Sequence, residues 1–84
     1  MGAVPKPSPS YAYDPILIAI GDAIRTARKK VGMSQEGLAA EAGLDRAYVS
    51  GIERGEHNVA VMNLTKLARA MNISLQELIR LAKI

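Results

Sequence analysis

Eighty-four residues with a net charge of +3 and 49% hydrophobic content, but no Phe, Trp or Cys, allow one small domain with an aliphatic core. The missing cysteines exclude disulfides and thiolate metal centres. No run approaches the ~18 apolar residues of a membrane span and no secretory signal is evident, so a cytoplasmic, nucleoid-associated protein is expected.

Met1 to Tyr13 reads MGAVPKPSPSYAY. Pro5, Pro7 and Pro9 stand in alternate positions, which forbids helix and favours an extended, polyproline-like path. The stretch is either a flexible leader or an extended N-terminal arm whose contact residues are Lys6, Tyr11 and Tyr13. Residues 14–84 form the domain proper. Asp14-Pro15 opens a first helix with an N-cap and a proline at the first helical position. Ile16, Leu17, Ile20, Ala23, Ile24, Ala27 and Val31 hold to a helical period, and Gly32 ends it. Arg25, Arg28, Lys29 and Lys30 crowd its last turns, where positive charge suits the helix dipole. For Lys29 and Lys30 a solvated basic end explains the pattern as well as a contact role.

Two short helices follow between Ser34 and Gly55. Ser34 caps the first, Glu36 adds negative charge to its first turn, and Leu38, Ala39 and Ala42 share one face. Gly43 ends it, Leu44 is the apolar turn residue, and Asp45 caps a helix running to Arg54, with Gly55 as the stop. Helices this close cross steeply, and Ala39 is the small residue that lets them meet. Leu38, Leu44, Val49 and Ile52 fill the wedge. This is the layout of a helix-turn-helix, whose second helix enters a major groove while the first crosses phosphates. A plain helical hairpin is the alternative, but caps, glycines and small residue all agree on the former.

The segment resembles the Xre/Cro-type family of phage and bacterial repressors, whose motif runs SQ-x-x-LA through IE-x-G. Its ends stand here as Ser34-Gln35-Glu36-Gly37-Leu38-Ala39 and Ile52-Glu53-Arg54-Gly55. The similarity extends over about Ile20 to Leu78. Within the family, Leu44 to Arg54 resembles most the controller proteins of restriction–modification systems. The resemblance implies an all-α, compact five-helix, lambda-repressor-like domain. It also implies a structural Arg28–Glu53 salt bridge tying the first helix to the end of the recognition helix. Gln35, in the family, reaches a phosphate or braces that helix.

Beyond Gly55, Glu56-His57-Asn58 reads as a polar loop with His57 at the surface. Val59 to Asn72 contains a fourth helix with Val61, Leu64, Leu67, Ala68 and Met71 on one face. Val59-Ala60 replaces the Pro-Ser often found in the family, so its cap is poor, and Asn72 ends it in a left-handed conformation. Ser74 and Glu77 have capping-box spacing for a fifth helix reaching about Lys83, with Leu75, Leu78, Ile79 and Ala82 inward. Met62, Leu81 and Ile84 fall off these faces and are the candidate dimer contact, which the family commonly builds from its C-terminal helices.

The helix beginning at Asp45 presents Arg46, Ala47, Ser50 and Gly51 to base edges. Arginine pairs bidentately with guanine O6 and N7, worth about 1–3 kcal/mol of discrimination; a phosphate clamp is the other reading of Arg46. Ala47 suits a thymine methyl, and Ser50 donates or accepts. Gly51 costs about 1 kcal/mol in mid-helix relative to alanine and would let the backbone sit close to the groove. Gly37 carries the same penalty with no evident role. Gln35, Tyr48, Arg54 and Asn58 are the phosphate candidates, although Tyr48 reads equally as a half-buried structural residue.

A single histidine and no cysteine provide neither a nucleophile–base pair nor a metal site, so no enzyme, cofactor or small-molecule ligand is expected. The reading is a homodimeric regulator on a near-palindromic double-stranded operator, with recognition helices about 34 Å apart. Dimerisation also suits a chain that buries only about 60–65% of its unfolded surface. The arm would lie on the partner subunit or along DNA. With nothing after the fifth helix, control would act through protein concentration and operator occupancy, as in an autoregulated controller. An antitoxin or other protein-interaction module is the alternative from a different class.

Overall fold

The computed structural model describes residues 5–84 and folds them into five helices: α1 Pro15–Lys30, α2 Gln35–Ala42, α3 Arg46–Glu53, α4 Val61–Ala70 and α5 Leu75–Ala82. The described residues contain no strand. Local chemistry sets most of the boundaries. Asp14 Oδ1 accepts from the Ile16 amide at 2.9 Å, Ser34 Oγ from Gly37 at 2.9 Å, and Ser74 Oγ from Glu77 at 3.0 Å. Each supplies an acceptor for an amide that its helix leaves unpaired. Gly43 closes α2 at φ +70°, and Asn72 follows α4 at φ +59°, both in the left-handed region.

Two helix starts are weaker than the sequence pattern suggests, and a third, at α4, is as poor as expected. Asp45 has N-cap backbone geometry before α3, but its side chain makes no capping bond, and Ala60 before α4 offers none. The box at α5 is only half formed, because Arg80 Nε takes the Glu77 carboxylate at 2.8 Å.

α1 packs on α3 and α5, α2 on α3 and α4, and α4 on α5. Every helix sends at least one fully buried aliphatic side chain to the centre: Ile24, Leu38, Val49, Ile52, Leu67 and Leu78. Burying each is worth about 1.5–3 kcal/mol. Ala39 is buried where α2 meets α3, the place assigned to it by the steep crossing. Ile16, Val31 and Val61, expected on the inward stripes, are exposed instead. All three stand at helix ends, where an apolar period continues but the neighbouring helix no longer covers it.

Residues 8–13 form a turn, not an extended arm. Ser8 and Pro9 are well suited to its first two positions. Ala12 N donates to Ser8 O at 3.2 Å and Tyr11 N to Ser8 Oγ at 3.0 Å. The turn docks on its own chain: Ser8 N donates to Glu56 O at 2.9 Å and Tyr13 N to Gly55 O at 2.7 Å. This strap therefore covers the loop leaving α3, so residues 8–13 follow neither the flexible nor the extended course expected of them. The first four residues of the expected arm, 1–4, lie outside the described residues.

Candidate nucleic-acid interface

The seating of α3 depends on its last residue. Glu53 is 2% exposed and its carboxylate is surrounded by donors. Arg28 Nε reaches Oε2 at 2.7 Å and Nη2 reaches Oε1 at 3.1 Å, a two-pronged pairing. Gln35 Nε2 adds a bond to Oε1 at 2.9 Å, and Arg25 Nη2 donates to the Glu53 carbonyl at 3.1 Å. Arg28 Nη1 also holds Met33 O at 3.0 Å, so one guanidinium ties α1, the α1–α2 link and α3 together. Burial pushes the Glu53 carboxyl up. The bonds from Arg28 and Gln35, with the charges of Arg28 and Arg25, outweigh burial and hold it below its ordinary value.

The close approach also needs Gly21 of α1. A Cβ there would lie 2.5 Å from the Ile52 carbonyl oxygen and 2.6 Å from that of Glu53. The sequence pattern does not reveal this residue, because an isolated glycine within an amphipathic helix marks no particular partner.

With one side fixed, α3 turns the other outward. Val49, Ile52 and Glu53 are buried, Arg46, Ala47 and Arg54 are exposed, and Ser50 is half-buried. At a helical turn per 3.6 residues, positions 46, 47, 50 and 54 share an arc of roughly 100°. Arg46 joins none of the ion pairs among the described residues. Arg54 Nη1 donates to Ser50 Oγ, and its Nε pairs with Glu56. Asn58 is exposed just beyond.

Two expectations change here, and two residues with alternative readings are found engaged within the domain. Gly51 is buried and does not open the backbone to a groove: a Cβ on it would stand 2.5 Å from His57 Nε2. His57 is correspondingly not a surface residue; it is 6% exposed and meets the Tyr48 ring edge-on at 5.0 Å between centroids. Tyr48 is half-buried, with Asn63 Nδ2 donating to its hydroxyl at 3.2 Å, which fits its reading as a half-buried structural residue and leaves the hydroxyl proton free to donate. Gln35 is also half-buried and donates from its amide nitrogen to Glu53, the bracing role among the two expected of it. Gly37 acquires a modest reason, since a Cβ would crowd Ser34 Oγ at 3.2 Å.

Met62, Leu81 and Ile84 are exposed, and Val61 joins them as a large apolar side chain facing outward. The described residues contain no group of three side chains able to hold a metal, and none of their helices is long and apolar enough to cross a membrane. Glu56 is absent from the residues singled out by pattern; the readable signal was an acid two positions after Arg54 across a turn glycine.

Residues 24–78 match the protein family described as helix-turn-helix. Control protein C.MunI from a Mycoplasma species is 44% identical over 64 residues, covering 75% of this chain and 86% of that protein. Control protein C.BamHI of Bacillus amyloliquefaciens is 40% identical over 65 residues, 76% of this chain and 80% of its own length. The crystal structure of the restriction–modification controller protein C.AhdI from Aeromonas hydrophila superposes with a TM-score of 0.72. It is 48% identical and covers 74% of this chain and 94% of its own.

Proposed function

The chain belongs to this helix-turn-helix family and is a DNA-binding transcriptional regulator, and from that premise we propose that it acts as a homodimer on a near-palindromic operator. The observation that carries the proposal is the outward arc of α3, where Arg46 is exposed and joins no ion pair among the described residues while the opposite side is locked to α1. The first turn of α3 enters the major groove, where Arg46 reads a guanine through O6 and N7. Ala47 lies against a thymine methyl and Ser50 adds a hydrogen bond. Arg54 and Asn58 meet the phosphates on either side and set the register of the helix.

A two-fold contact through Met62, Leu81 and Ile84, widened by Val61, removes apolar surface from water and sets two copies of α3 about 34 Å apart. As in the controller proteins that it resembles, the regulator's own promoter is the natural site, with occupancy following protein concentration. Selection and sequencing of duplexes retained by the purified protein tests this. The expected result is two inverted half-sites separated by about one helical turn. Retention without sequence preference, or capture of a protein partner in place of DNA, would sink it.

A further inference from the structure

Resting on the DNA-binding reading of α3, the geometry points to Glu56 as a built-in competitor for DNA phosphate, one that neutralises Arg54 and thereby sets how tightly, and with what salt dependence, the protein grips the backbone. Arg54 stands at the end of the outward arc with a side chain 52% exposed, where an incoming phosphate meets it. Its Nε is already paired with Glu56 and its Nη1 with Ser50. Glu56 is the opposite kind of residue: its side chain is 14% exposed and its backbone is held from two sides. The Glu56 amide donates to Gly51 O at 3.0 Å, and its carbonyl accepts from Ser8 of the strap at 2.9 Å. With the backbone fixed and the side chain largely covered, the carboxylate can leave Arg54 only by rotating about its own side-chain bonds.

Pairing with Arg54 holds the Glu56 carboxyl below its ordinary value, so it remains charged wherever the protein binds DNA. A phosphate on Arg54 must then either displace this carboxylate or settle beside it, and both are unfavourable. Each phosphate neutralised by a protein cation steepens the logarithmic dependence of affinity on salt by about 0.9. An arginine already neutralised within its own chain contributes little to that slope. Glu56 therefore acts on the sequence-independent part of binding and leaves base discrimination at Arg46 alone.

The test compares wild type, Glu56→Gln, Arg54→Ala and the double variant, as full chains. Dissociation constants for the selected operator and for a scrambled duplex are measured across a salt series. Glu56→Gln is expected to bind both duplexes more tightly, on the order of tenfold at low salt, with a slope steeper by about 0.9 per protomer. In the Arg54→Ala background the same change should add no steepening. Glu56→Ala repeats the comparison should the glutamine variant fold poorly. An unchanged slope, weaker binding by Glu56→Gln, or equal steepening without Arg54 overturns the proposal. Wild type that binds neither duplex overturns instead the reading of α3 on which it rests.

Discussion

Arg28 and Glu53 are joined by two hydrogen bonds, 2.7 Å at Nε and 3.1 Å at Nη2, and through them α1 holds the last turn of α3. Both side chains are buried, so each compensates for the other's lost hydration. The pair fixes the angle at which the outward arc of α3 is offered.

Arg28→Ala should therefore destabilise by about 3–5 kcal/mol, because it leaves a buried carboxylate short of its main partner. In a domain this small that corresponds to a melting temperature lower by at least about 12 °C. Thermal unfolding followed by circular dichroism checks it. Arg28→Lys should recover only part of the loss, since an ammonium cannot make the two-pronged contact.

The same pair predicts an acid limit. Glu53 has a folded-state value below its unfolded one, so its contribution is fully present above the ordinary 4.5. It is lost as pH falls through the depressed folded value, because the unfolded chain then binds more protons. Urea midpoints should be flat near neutrality and decline below about pH 4.5. The decline should be shallower in Arg28→Ala.

Gly51 and His57 fit as a matched pair. Gly51→Ala gains up to about 1 kcal/mol of helix propensity but drives a methyl into the imidazole, costing about 1–3 kcal/mol. Combined with His57→Ala the two changes should be non-additive by at least about 0.5 kcal/mol in denaturant unfolding. Unaltered stability with weakened DNA binding would return Gly51 to the groove.

Arg46→Ala should relax preference at one base pair in each half-site, by about 1–3 kcal/mol. Repeating the duplex selection with the variant reads this directly. Equal weakening on every sequence would make Arg46 a phosphate clamp.

Leu81→Lys places a charge within the exposed apolar set of α4 and α5. Sedimentation equilibrium should show weaker self-association, and the melting temperature should become less dependent on protein concentration as the stabilisation lent by dimerisation is lost. Unaltered association would move the two-fold contact elsewhere.

The helix-turn-helix was legible because its determinants are local: Ser34 bonds three residues ahead, and Gly43 turns left where the helix must stop. The Arg28–Glu53 pairing was legible through family resemblance. What was hidden depends on residues distant in sequence. Gly21 matters only because α3 arrives there, and His57 is buried only because Gly51 leaves room for its ring. Periodicity identified the inward faces, yet could not show where a neighbouring helix runs out and leaves Ile16 or Val61 uncovered. The half-formed box at α5 has a comparable origin, as Arg80 outcompetes a backbone amide for Glu77.

The docking of Ser8 and Tyr13 onto the residues just past α3 means that the segment before α1 and the end of α3 share one anchoring corner. Trimming the protein to begin at Asp14 would spare all five helices, yet two carbonyls that now have amide donors would face solvent. The corner from which α3 projects would then lose its latch.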